Sequence, residues 1–152
     1  MFLFREVIKI DLQDLGKTVR AKRGPKLPVV LTQDEVRNLL DPLTGRDLLI
    51  VQLLYGTGMR LMEVARLRVQ DIDFGLNSIV VRAGKGDKDR ITVMPEAVKE
   101  KLKEHLGRVM KIHEKDLEKG YGNVYMPDAL DRKYPNAAKE WGWQYVFPAA
   151  FF

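Results

Sequence analysis

The apolar positions of this chain fall into separable periods. Phe4, Val7, Ile8 and Leu12 line one side of a short amphipathic helix over residues 2–12. Residues 15–30 break that rhythm, because Gly24-Pro25 and Pro28 keep the stretch out of a helix. Thr32-Gln33-Asp34-Glu35 reads as a capping box, in which the threonine side chain accepts from the Glu35 amide and the Glu35 side chain reaches back. The helix it opens carries Val36, Leu39 and Leu40 on its apolar side and ends at Asp41-Pro42. From Arg46 to Tyr55 the apolar positions Leu48, Leu49, Val51, Leu53 and Leu54 are too dense for a surface helix. That helix is expected to be buried, with Tyr55 in the core.

Gly56 and Gly58 stop this run, and a second helical pattern starts near Arg60. Glycine lifts the steric bar to positive φ, so the spacing predicts a sharp turn with Arg60 at the junction of two helices. Glu63, three residues on, shares a helix face with Arg60 and can hold it in place. Further along, Asn77–Arg82 and Arg90–Val93 are rich in β-branched residues around the turn Ala83–Asp89, a hairpin signature. Pro95 stands where a helix should begin. Val98, Leu102, Leu106, Val109 and Ile112 then recur every three or four residues, predicting one long helix to about Glu118. His105 and Arg108 flank Leu106 and are expected on the solvent side. Past Gly120, Tyr121, Tyr125, Tyr134, Trp141, Trp143, Tyr145 and Phe147 crowd a short span.

Composition narrows the chemistry. The 152 residues are 45% hydrophobic and 31% charged, a globular balance, with a net charge of +5 that favours an anionic partner. Between residues 15 and 30 the charged residues are Lys17, Arg20, Lys22, Arg23 and Lys26, with no acid. Such a segment suits a phosphate backbone. The absence of cysteine excludes disulfides, thiolate zinc sites and cysteine nucleophiles. Two histidines are too few for a histidine-rich metal centre, so no metal and no cofactor are expected. No apolar run approaches the roughly 20 residues that span a bilayer. The expected location is cytoplasmic.

Gly56-Thr57-Gly58-Met59-Arg60-Leu61-Met62-Glu63 resembles the first catalytic-arginine box of the tyrosine recombinases, the phage-integrase family. The Arg66–Phe74 stretch and the aromatic segments Tyr125–Ala137 and Trp141–Pro148 are similar to the integron integrase branch. The resemblance implies an α+β fold, mostly helical, with a small antiparallel β-sheet at the hairpin. It also implies site-specific recombination of DNA through attack of a tyrosine hydroxyl on a phosphodiester. Such chemistry needs charge neutralisation on the phosphate, a proton donor for the leaving oxygen and a covalent nucleophile. In this resemblance Arg60 grips the scissile phosphate, Glu63 supports it, and Lys85 in Gly84-Lys85-Gly86 protonates the leaving oxygen, with Lys88 as the competing lysine. Lys22, Arg23, Lys88, Arg90 and Trp143 are candidate DNA contacts. Trp143, ahead of Trp141, would stack on a base bulging from a folded single-stranded site.

The resemblance divides the chain into the end of a core-binding domain (1–16), a basic linker (17–30) and the first part of a catalytic domain (31–152), with an insertion at about 120–148. The family's second His-x-x-Arg box and its tyrosine nucleophile are expected downstream of that insertion. His105-Leu106-Gly107-Arg108 has the box's spacing but precedes the insertion, so it reads as helix surface. The chain is therefore expected to be a truncated form that binds duplex or folded single-stranded DNA without cutting it. Missing segments would expose apolar surface and favour self-association. The alternative is a stand-alone basic DNA-binding or interaction domain that never catalysed.

Overall fold

The computed structural model describes residues 30–82, 84, 88–127 and 130–148. Of two units, Met1–Thr32 and Gln33–Phe152, these belong almost wholly to the second. The expected helix at residues 2–12, the basic linker and Lys85 lie outside the described residues.

Five α-helices and one sheet organise the described residues. They are α1 (Gln33–Leu40), α2 (Gly45–Thr57), α3 (Leu61–Ala65), β1 (Ile72–Asp73), β2 (Ser78–Val81), β3 (Arg90–Val93), α4 (Glu96–Glu118) and α5 (Leu130–Lys133). α1 starts directly after Thr32, the residue expected to cap it. α2 ends through Gly58, whose φ of 65° is left-handed and whose N–H donates to Leu54 O at 3.1 Å. That conformation suits a residue without Cβ. Gly56 has a different duty, since a side-chain carbon there would run into the Pro95 ring. It lets the end of α2 approach the start of α4.

The sheet is antiparallel in the order β1-β2-β3. Ile79 pairs with Ile72 on one side and with Thr92 on the other, and Val81 pairs with Arg90. The two-fold alternation of β2 sends Ile79 and Val81 into the core. There they meet Leu49 and Leu53 of α2, Val64 of α3 and Val98, Leu102 and Leu106 of α4. Complete burial of side chains such as Leu53 and Leu102 is worth ~1.5–3 kcal/mol each. The chain returns at its C-terminal end: Val69 N–H donates to Gln144 O and Val146 N–H to Leu67 O, which carries Val146 into the same core.

Four packing expectations are corrected. Tyr55 is exposed; two residues beyond Leu53 on a helix is about 200° around the axis, so it points away from the buried pair Leu49 and Leu53. α2 as a whole is only half-buried, with those two leucines fully inside. On α4 the stripe does not continue through Ile112, which is exposed, but through His113. His105 is also buried, contrary to its expected solvent position. Each histidine ring bonds a carbonyl of the returning segment: His105 Nε2 to Val146 O at 2.8 Å and His113 Nε2 to Lys139 O at 3.0 Å. Phe147 stacks on His105, and Trp141 lies tilted against His113.

Among the described residues no helix is long and apolar enough to cross a membrane.

Candidate functional site

The turn after Gly58 sets Arg60 at the N-cap of α3, in extended backbone. Its N–H would be an orphan of the helix start. Glu63 satisfies it: Oε2 accepts from Arg60 N at 2.8 Å, and Oε1 accepts from Arg60 Nη1 at 3.0 Å. The same carboxylate receives Arg90 from β3 through two parallel bonds, Nη1 to Oε1 at 2.9 Å and Nη2 to Oε2 at 2.6 Å. The Glu63 side chain is 8% exposed and that of Arg60 57%. The carboxylate is thus enclosed by two cations, while much of one guanidinium stays open to solvent.

Electrostatics follow from that enclosure. The Arg90 fork is the chief cause holding the Glu63 pKa down at about 2, with the Arg60 bonds adding to it and burial opposing it. Glu63 in turn holds Arg90 more firmly charged than an isolated guanidinium. Neither group titrates anywhere near neutral pH, so the pair is a fixed charge scaffold for Arg60.

The hairpin closes on this cluster. Gly84 N–H donates to Lys88 O at 3.0 Å, and Thr92 Oγ1 donates to Thr57 O at 3.1 Å. A Cβ on Gly84 would stand 2.9 Å from Lys88 O and 3.0 Å from Arg90 Nη1. The Gly84 backbone therefore needs a residue without a side chain to lie flat against the ion pair. Lys88 is exposed on the adjoining arm. Arg90, named from sequence as a DNA contact, has its guanidinium occupied by Glu63. Lys85, Lys22 and Arg23 lie outside the described residues.

A second arginine cluster lies beside the first, and sequence reasoning passed over it. Arg68 is 7% exposed. Its Nη1 donates to Trp143 O and its Nη2 to Tyr125 O, both at 2.7 Å. Its guanidinium sits 5.3 Å from the Trp143 ring centroid and 4.8 Å from that of Tyr145. Asp71 accepts from Arg68 N–H at 3.3 Å and from Arg82 Nε at 2.6 Å. The signal that could have exposed this cluster is the repeated spacing Arg-x-x-acid, at Arg60/Glu63 and again at Arg68/Asp71. Trp143, the stacking candidate, is half-buried, with its ring against Arg68.

Gln144 anchors the aromatic segment from the other side, its Nε2 lying 3.1 or 3.2 Å from the carbonyls of Gly122, Ala138 and Glu140. Among the described residues no group of three or more His, Cys, Asp or Glu side chains could hold a metal ion. What the site can do is bind an anion through Arg60, on a scaffold that does not titrate near neutral pH.

Comparison with known proteins identifies the family. The model of the phage integrase family matches residues 29–126. An Escherichia coli protein named Integrase/recombinase is 46% identical over 147 residues, covering 97% of this chain and 44% of the relative. The tyrosine recombinase XerA of Pyrococcus furiosus is 38% identical over 103 residues, covering 63% of this chain and 36% of the relative. A crystal structure of XerA recombinase superposes with a TM-score of 0.50 at 37% identity, covering 58% of this chain and 33% of that one. The chain thus spans less than half the length of these relatives.

Proposed function

Since the chain belongs to the phage integrase family of tyrosine recombinases, we propose that it carries the first part of a recombinase catalytic domain, of integron type, and that Arg60 grips the scissile phosphate of DNA. In this reading residues 1–16 close a core-binding domain, 17–30 link, and 31–152 begin the catalytic domain. One observation carries it: the buried Glu63 carboxylate fixes one edge of Arg60 and is itself locked by Arg90, yet leaves Arg60 largely exposed. A fork held in this way meets a phosphate with little further loss of side-chain freedom.

Lys85 is the proposed acid for the leaving 5′-oxygen. Its covalent neighbour Gly84 lies against the Glu63–Arg90 pair that holds Arg60. Lys22, Arg23 and Lys88 are proposed backbone contacts, and Arg90 acts through Glu63. The tyrosines of this chain stand outside the family's nucleophile context, so the stretch by itself is proposed to bind DNA without joining to it. Trp143 is proposed to stack on a bulged base, which is worth ~1–3 kcal/mol.

The test is anisotropy of the full chain on a nicked duplex and on a bulged hairpin. Arg60→Ala should weaken both about tenfold, the loss of one charge-assisted contact. Trp143→Ala should weaken the bulged hairpin more than the duplex. Equal binding by wild type and Arg60→Ala would remove the phosphate grip, and a phosphotyrosine-linked band on a denaturing gel would remove the claim of binding alone.

A further inference from the structure

Glu63 does double duty. Besides holding Arg60 it forms one wall of a cleft of about 460 Å³, whose charged lining also includes Arg66, Arg68, Asp71 and Arg82. The groups in that cleft are not equally available. Glu63 is closed on Arg60 and Arg90. Arg68 has both Nη groups engaged, by the Trp143 and Tyr125 carbonyls, and is covered by two rings. Asp71 is only 4% exposed at its side chain and is taken up by Arg82 and the Arg68 N–H. Arg82 differs. Its Nε is pinned to Asp71 at 2.6 Å, yet the side chain is 52% exposed, and among the described residues Asp71 is its one hydrogen-bonding partner. Arg66 is exposed in the same cleft, with no acidic partner among the described residues.

The geometry points to a second phosphate subsite, in which Arg82, held edge-on by Asp71, and Arg66 grip a backbone phosphate neighbouring the one at Arg60. The inference rests on the reading of Arg60 as a phosphate grip. A guanidinium offers two donor edges. The Nε edge of Arg82 is spent on a buried carboxylate, so the Nη groups are presented as a fixed fork that matches two phosphate oxygens. Pinning removes rotamer freedom before the anion arrives and so lowers the ordering cost of binding. Because Glu63 joins the cleft to Arg60, one strand can run from the first site into the second. Each DNA strand carries a phosphate for about every 3.4 Å of helix axis, so a strand bound at Arg60 brings further phosphates along its path. The contact carries no sequence information and positions the strand.

The experiment is anisotropy of the full chain on a plain duplex across a range of sodium chloride, with melting curves confirming that each variant folds. Arg82→Gln should weaken binding about tenfold and lower the slope of log K against log salt by about one. Arg82→Lys keeps the charge but loses the fork, so it should recover little of the loss. Asp71→Asn is the sharper probe. It raises the net charge by one, which general attraction would turn into tighter binding, whereas release of Arg82 from its pin should weaken binding. Tighter binding by Asp71→Asn, full rescue by Arg82→Lys, or unchanged affinity and slope in Arg82→Gln would each overturn the subsite. If Arg60→Ala still weakens binding in that case, the phosphate grip stands and only the subsite falls; if neither arginine matters, both fall. Inorganic phosphate, titrated at constant ionic strength up to the duplex's half-saturating concentration, should leave wild-type binding unchanged. Displacement there would assign the cleft to a free anion and overturn its assignment to DNA.

Discussion

Two turns in this chain start from one local design and finish it in opposite ways. At Arg60/Glu63 and at Arg68/Asp71 an acid three residues on accepts from the arginine's own backbone N–H, at 2.8 and 3.3 Å. Each carboxylate then takes an arginine from the hairpin, Arg90 for Glu63 and Arg82 for Asp71. In the first cluster the hairpin arginine is closed by two bonds and the turn arginine is open. In the second the turn arginine is buried under carbonyls and rings, and the hairpin arginine is the open one. The difference lies in what surrounds the turn: the returning aromatic segment supplies Tyr125 O and Trp143 O to Arg68, and among the described residues no comparable acceptor reaches Arg60. A motif of four residues therefore leaves open whether its arginine faces a ligand or bolts the fold together.

One substitution made at both positions breaks or keeps this comparison. Arg68→Leu orphans two carbonyls that the guanidinium bonds at 2.7 Å, and each unsatisfied buried acceptor costs ~1–3 kcal/mol. The expected loss is about 3 kcal/mol in urea unfolding, with Arg68→Lys recovering little because lysine lacks the fork. Arg60→Leu should change stability by less than about 1 kcal/mol, as expected where one partner of the pair is exposed. Equal losses at the two sites would show that both arginines are structural.

Glu63→Gln sits next in size. It leaves Arg90 facing an amide in a poorly solvated place, and hydrogen bonds to charged groups are worth ~1.5–3 kcal/mol. The expected loss is about 2 kcal/mol by the same measure. The pH dependence has a definite sign. The folded pKa of Glu63 is lowered from 4.5 to about 2, so its contribution is fully present above 4.5 and is lost as pH falls towards 2. Unfolding followed from pH 5 to 2 should show an acid-induced loss in the wild type that is smaller in Glu63→Gln. Identical curves would mean that the carboxylate is not locked.

The same contrast explains what could be read from the chain. Arg60 and Glu63 are neighbours on one helical turn, so their meeting follows from spacing alone. The meeting of Glu63 with Arg90 spans 27 residues and depends on the register that sets Arg90 opposite Val81. The bonds from Arg68 to Tyr125 and Trp143 span 57 and 75 residues. No local rule reaches that far. The hairpin arms and α4 were legible because β-branched runs and a three-to-four-residue period are local signals, whereas the two-residue β1 left none. The end of the α4 stripe was misread because periodicity counts apolar residues. It passes over a histidine buried for the carbonyl it can bond.

That histidine pattern gives the smallest of the expected effects. Burial is the main cause lowering the pKa of His105 below 6.5, with Arg108 and Arg46 adding to it and the Val146 carbonyl opposing it. A base whose folded pKa is lowered gives stability that is complete above 6.5 and declines as pH falls through the interval down to the folded value. Melting temperature should therefore drop between pH 7 and 5 in the wild type, and His105→Gln should flatten that drop while losing the Phe147 stack. The step belongs to the clasp between α4 and the returning segment, so in hydrogen exchange it should loosen Val146 and its neighbours before the Arg60 turn. If acidification loosened both together, the aromatic segment and the phosphate-facing turn would be one cooperative unit, and the division between bolt and grip would hold for side chains but not for stability.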